Sequence, residues 1–216
     1  MGPERWLRSN GHKDLSYAYN SVRYDDSGKM REIDECYNAL CDDLTHIANM
    51  PKDYANVKTI FVDSLSHVNE FIIRHVLKLQ NKPRKIHEME ARDWSPFKSY
   101  AYILLVAKLE QTNKHVLCSC HEVKLVEPDG TNVMKERVIG YEPFFQGKVG
   151  DIIGAFFTDV WRLEVRPALG GKSETWLQTM KTPKCEHLKN SLGLPAELNV
   201  TAGYMALEPY LKDKYL

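Results

Sequence analysis

Between residues 30 and 79 the apolar positions change period twice. Ile33, Cys36, Tyr37, Leu40, Leu44 and Ile47 recur at helical spacing and predict a helix over 30–49, ended by Pro51. The run "VKTIFV" (57–62) follows, and four consecutive apolar or β-branched positions there predict a buried strand. Leu65, Val68, Phe71, Ile72, Val76 and Leu79 return to helical spacing, with Asp63 or Ser64 as the expected cap and Asn81-Lys82-Pro83 as the breaker. Residues 84–93 are charged and read as a loop. Ser95-Pro96 is a helix start, and the helix it opens, "FKSYAYILLVAKLEQ", is apolar round much of its circumference and expected to be well buried.

The second half reads mostly as strands. "HVLCSC" (115–120) is a short apolar strand, and "EVKLVEPDGTNVMKERVIGYEPF" is a hairpin turning at Pro128-Asp129-Gly130. "GKVGDIIGAFF" (147–157) is short, apolar and glycine-rich. "DVWRLEVRP" and "ETWLQTMK" alternate in and out around "ALGGKS", an antiparallel hairpin with Gly170-Gly171 at its turn. Residues 182–216 are expected to be loop and short helix, ending in a solvated "KDKYL". A possible short strand, "SVRY", is all that patterns the polar segment before residue 28. Strand, helix, helix, strand and antiparallel hairpin add up to an α/β fold with a partly parallel central sheet and helices on its faces. Ligands of such sheets gather at the carboxyl ends of the strands, where Asp63 and His121 both fall.

Charge changes this picture little. Lys plus Arg and Asp plus Glu number 29 each, so bulk charge gives no attraction for nucleic acid or anionic membrane. No apolar run approaches the ~18 residues of a membrane helix. The start, "MGPERW", has neither a secretory apolar region nor a myristoylation pattern, so a cytoplasmic setting is expected. Five irregularly spaced cysteines (Cys36, Cys41, Cys118, Cys120, Cys185) read as reduced thiols. Cys118, Cys120 and His121 with Cys185 and His187 are an alternative zinc set, although Cys-x-Cys on a strand is unlike the usual zinc knuckle. Trp94, Trp161 and Trp176 read as core, with base stacking on single-stranded nucleic acid the alternative for any that is exposed.

A carboxylate at the end of a buried strand invites a search for a phosphate loop, Gly-x-x-x-x-Gly-Lys-Ser/Thr. "GGKS" (170–173) has the right ending, but Arg166 stands where the first glycine belongs and a hairpin turn accounts for it. "GYEPFFQGKV" (140–149) spaces its glycines wrongly and puts Val149 in place of the hydroxyl. Neither is a phosphate loop, and Asp63 can equally be a helix cap, His121 an ordinary strand-end histidine.

Taken in order, "YANVKTIFVDSLSHV", "HVLCSCHE", "GYEPFFQGKVGDIIGAFFTDVWRLEV" and "WLQTMKTPKCEHLKNSLGLP" resemble the later part of a RecA-like P-loop ATPase domain. The nearest resemblance is to phage-encoded AAA-domain nucleotide-binding proteins associated with recombination and single-strand annealing. It implies a three-layer sandwich over 29–200, lacking its N-terminal strand and phosphate loop, between a polar segment (1–28) and a tail (201–216). It also implies ATP and Mg²⁺ as ligands. Asp63 would hold the water shell of Mg²⁺, Ser64 would support it, and His121 would sense the terminal phosphate. Lys181 or Lys184 would approach phosphate or a neighbouring subunit's site. Such domains form rings or filaments and act on DNA, so self-association and single-stranded DNA are expected partners. The chain is then an incomplete ATPase-type protein of DNA recombination or replication, or a degenerate, non-catalytic module for assembly or partner binding.

Overall fold

The computed structural model describes residues 22–25, 27–50, 52–80, 89–129, 132–146 and 148–215. The polar segment up to residue 21, the Pro51 stop, the Asn81-Lys82-Pro83 breaker, the first part of the charged loop and the Gly130 turn lie outside these residues.

The chain is a mixed α/β protein with one small parallel and two small antiparallel sheets. Helix α1 (Cys36–Asn49) leads to strand β1 (Thr59–Val62), and helix α2 (Leu65–Leu79) leaves directly from its end. Helix α3 opens at Trp94–Tyr102, passes through a π-helical stretch at Ile103–Lys108 and closes with a turn at Leu109–Gln111. Strand β2 (His115–Cys118) then lies parallel to β1, with Ile60 opposite Val116 and Val62 opposite Cys118. Parallel neighbours need a long crossover, and α2 with α3 supplies it.

The helices cover one face of this strand pair. Ile60, Val62, Val116 and Cys118 turn inward onto a core built from Cys36, Tyr37, Leu44, Phe71, Ile72, Ile73, Val76, Phe97, Leu104 and Phe145. Each such side chain, fully buried, contributes about 1.5–3 kcal/mol. Tyr37 ties α1 to α3 by donating its hydroxyl to the Tyr100 carbonyl at 3.1 Å, and His75 stacks within 4.8 Å of both rings. The opposite face of the strand pair carries the register partners Phe61 and Leu117, 52% and 53% exposed.

Two sequence expectations change for α3. It begins before Ser95-Pro96, because a short 3₁₀ turn at Ala91–Asp93 carries a reciprocal capping box between Glu90 and Asp93. Nor is it buried all round: Tyr102, Ile103 and Val106 stay partly exposed, since the core meets only the side bearing Phe97, Ala101, Leu104, Leu105 and Leu109.

Strands β3 (Glu122–Asp129) and β4 (Asn132–Pro143) form the long hairpin, and a short helix α4 (Lys148–Ile152) with a 3₁₀ extension follows it. Gly150 is required there, because a Cβ would lie 2.3 Å from the Phe145 carbonyl oxygen. Strands β5 (Arg162–Pro167) and β6 (Ser173–Gln178) form the predicted second hairpin, with Gly170 and Gly171 at φ +76° and +73°. A third strand, β7 (Glu197–Asn199), adds to β6 and was not legible in the sequence.

The short helix expected within residues 182–216 is α5 (Glu208–Tyr215). Leu207, Tyr210 and Leu211 pack with Trp161 and Leu198 against a second cluster made by Leu177, Leu192, Leu194 and Val200. On β5 the inward alternation carries charge rather than apolar groups. Arg162 is held by Glu122 at 2.7 Å and covers the Tyr141 ring, and Arg166 bridges Glu164 and Glu197. The Arg166 guanidinium and the Gln178 amide together hold Glu197 down to about 2.

Candidate functional site at the ends of the parallel strands

Three chain segments meet at the carboxyl ends of β1 and β2. The first, 63–67, is the turn from β1 into α2. The second, 119–121, leaves β2. The third, 144–146, returns from β4. The register of β1 and β2 carries on past their ends, since Ser119 N–H donates to the Val62 carbonyl at 3.0 Å and Leu65 N–H to the Ser119 carbonyl at 2.8 Å. That continuation puts Asp63 beside Ser119, whose hydroxyl donates to Asp63 Oδ1 in a short hydrogen bond.

Asp63 is exposed and is not the helix cap: Ser64 holds the N-cap position, without a capping bond from its side chain. Ser64, only 2% exposed, pairs its Oγ with His67 Nδ1 at 3.0 Å. His121 is exposed as well, and its ring stands 6.0 Å from the His67 ring at an interplanar angle of 70°. Asp63, Ser64 and His121 are thus brought to one rim, joined by His67 and Ser119.

Below the rim, two buried polar side chains of α2 fix the loops. Ser66 Oγ accepts the His121 backbone N–H at 3.0 Å and donates to the Phe144 carbonyl at 3.3 Å. Asn69 Oδ1 accepts the Gln146 N–H at 2.9 Å. Phe144 N–H in turn donates to the His121 carbonyl at 2.6 Å, and Phe145 buries itself against Phe97. Ser66 and Asn69 fall among apolar positions of the α2 stripe, and a polar residue on a core-facing helical position is the signal that would have found them.

Ser66→Ala removes the partner of the half-buried His121 N–H and of the Phe144 carbonyl. We expect it to cost about 1–2 kcal/mol, measured by urea denaturation, with Ser95→Ala, at an exposed position of α3, within about 0.5 kcal/mol of wild type.

The two lysines do not join this rim. Lys181 lines a surface cavity of about 400 Å³ with Thr158, Thr179 and Ser191. Lys184 lines another, of about 390 Å³, with Tyr141, Arg162 and Cys185. Neither cavity includes Asp63, Ser64 or His121. Lys172 sits past the Gly170-Gly171 turn of an antiparallel hairpin, which has no helix after it to direct backbone N–H groups at a phosphate.

Among the described residues no group of three or more His, Cys, Asp and Glu side chains is placed to hold a metal ion. Burial pushes the Cys118 thiol up to about 12 and raises Cys120 and Cys185 as well, so these sulfurs stay protonated in the core. Mg²⁺ makes a different demand: it keeps most of its water and takes one or two carboxylates beside the phosphates of its nucleotide. One exposed carboxylate, anchored by a neighbouring hydroxyl, fits that demand. Trp94 packs on the main core, Trp161 on the second, and Trp176 lies under Arg166, with 5.1 Å from guanidinium to ring centre.

No helix among the described residues is long and apolar enough to cross a membrane. Comparison of the chain with protein-family models, with curated proteins and with solved structures gives no match in any of the three.

Proposed function

We propose that this chain is a RecA-like nucleotide-binding module of the ATPase type, carrying the cation-organising and phosphate-sensing side of an ATP site. The observation that carries the reading is the pairing of Asp63 with the Ser119–His121 segment at the carboxyl ends of two adjacent parallel strands. In this reading Mg²⁺, bound with ATP, neutralises charge on the phosphates. Asp63 orients the water shell of the ion, and Ser119 holds the carboxylate in one rotamer. His121 contacts the terminal phosphate, its backbone fixed from beneath by Ser66 and from the side by Phe144. Ser64 acts through His67 rather than on the ion, because its hydroxyl faces that ring.

The three-layer sandwich belongs to the same proposal. Helices cover one face of β1–β2, and the exposed Phe61 and Leu117 mark the face a third layer would cover. The 216 residues contain no phosphate loop, so the groups that cradle the phosphates come from another polypeptide segment. Lys181 and Lys184 then have a role only towards a neighbouring subunit, in a ring or filament. Phage origin, a place in DNA recombination or replication and contact with single-stranded DNA follow from the resemblance alone.

Turnover by the chain alone is the test. We expect ATP hydrolysis at or near the buffer background with Mg²⁺ present, because positioning and charge stabilisation of the phosphates do most of the work in phosphoryl transfer. Robust Mg²⁺-dependent turnover that Asp63→Ala abolishes would show that the cradle is complete within this chain. Lys172→Ala is expected to leave nucleotide binding unchanged, and a large loss would show that the 170–173 turn is a phosphate loop after all. The second reading, a non-catalytic assembly or partner-binding module, shares the fold; the missing loop favours it for the chain taken alone, and it predicts no Mg²⁺-dependent nucleotide binding at all.

A further inference from the structure

We infer that His67 and His121 form a binding site for one borderline divalent cation of the Zn²⁺ or Ni²⁺ type, independent of nucleotide. The two exposed rings stand 6.0 Å apart between centres. A metal–nitrogen bond of ~2.0–2.1 Å puts a ring centre ~3.2 Å from the ion, so two imidazoles on one ion have centres ~5–6.4 Å apart, from tetrahedral to linear arrangement. The observed separation lies towards the wide end of that range.

The partners of the two residues suit the role. Ser64, buried beneath the rim, meets His67 at Nδ1, and in the tautomer in which Nδ1–H donates to Ser64 Oγ, Nε2 keeps its lone pair for an ion. A hydrogen bond to one ring nitrogen that fixes tautomer and orientation is the usual support of a metal-bound histidine. His121 is held through its backbone, with N–H on Ser66 and carbonyl under Phe144 N–H, so its ring projects from a fixed point.

Charge selects a cation over an anion. The rim holds the Asp63 carboxylate and two imidazoles, and among the described residues no lysine or arginine pairs with Asp63. Imidazole prefers Zn²⁺, Ni²⁺, Co²⁺ and Cu²⁺ to Mg²⁺ or Ca²⁺, which distinguishes this site from the hard-ion role of Asp63. Two protein ligands leave the remaining coordination positions to water.

The test is titration of the full chain with Zn²⁺ alone, in excess Mg²⁺ and without nucleotide, followed by calorimetry and by the histidine ring resonances. We expect one equivalent to bind. The His67 and His121 rings should shift together, and His67 should carry its proton on Nδ1 in a long-range nitrogen–proton correlation. His67→Gln and His121→Gln should each weaken binding at least ~10-fold, the loss that ligand-shell changes typically bring. His115→Gln, an exposed histidine on β2, should not weaken it. The ring shifts in the wild type need no variant to fold, so a misfolded variant does not spare the inference. Binding unchanged in His67→Gln, shifts confined to other histidines, or inorganic phosphate moving the two rings in place of Zn²⁺ would each overturn it. Because no nucleotide is present, failure here leaves the ATP-site reading standing.

Discussion

Phe97→Ala lowers the unfolding free energy by about 3–5 kcal/mol, the largest stability loss we expect from any single truncation here. Phe97 is 1% exposed, meets the Trp94 ring edge-on at 5.6 Å and lies 5.8 Å from Phe145. Its removal leaves a cavity lined by side chains from α2, α3 and the 144–146 loop, which the surrounding helices can close only in part. Domains of this size are stable by only about 5–15 kcal/mol, so much of the margin goes. In urea the midpoint should fall with an unchanged slope. Val165→Ala, at a position 69% exposed on β5, should change stability by no more than about 0.5 kcal/mol. The loss should also reach the site. Phe145 is flanked by Phe144, which carries the His121 contact, and by Gln146, which is bonded to Asn69. Loosening Phe145 therefore frees the loop that fixes His121. A Phe97→Ala protein that keeps wild-type stability would mean that α3 does not close the core as described.

Asp63→Ala has the opposite profile: little effect on folding and a large one on ligand. The carboxylate is exposed and its hydrogen bond comes from the Ser119 hydroxyl, which water can satisfy. We expect a stability change within about 1 kcal/mol and a loss of at least ~10-fold in the weak Mg²⁺-dependent nucleotide affinity that is left without a phosphate loop. Asp63→Asn separates charge from shape. Its amide oxygen still accepts from Ser119, yet it should bind as poorly as Asp63→Ala because the negative charge is gone. Nucleotide affinity compared with Mg²⁺ and with a chelator, for wild type and both variants, checks this. Equal binding by all three would remove Asp63 from any cation role.

The parts of the fold that could be read in the sequence are those where local pattern and tertiary contact agree. The stripe of α2 has one period and one partner surface, and it formed as expected; "TIFV" formed a strand, but a half-buried one with Phe61 turned outward, because the helices cover only one of its faces. The start of α3 did not, because two local signals competed. Ser95-Pro96 is a legitimate opening, but the Glu90–Asp93 capping box lies earlier and satisfies backbone groups on both sides. β7 was missed for another reason: it has no pattern strong enough to stand alone. Three residues become a strand only because β6 offers an edge, and a short charged helix forms where Tyr210 and Leu211 find the Leu177 cluster.

Asp63 and His121 were visible because strand ends are where ligands gather. Their supports were not, since contact between Ser119 and Asp63, or between His67 and His121, depends on the parallel register of β1 and β2. That register belongs to the assembled core and to no local stretch of residues.

The most direct test of the nucleotide-site account is a map of amide shifts in the ¹⁵N-labelled chain on addition of Mg²⁺ with a non-hydrolysable ATP analogue. The account predicts Mg²⁺-dependent changes centred on Asp63, Ser64, Ser119 and His121 and absent in Asp63→Ala. Changes centred on Gly170, Gly171 and Lys172, or no changes at nucleotide concentrations well above those of a cell, would contradict it.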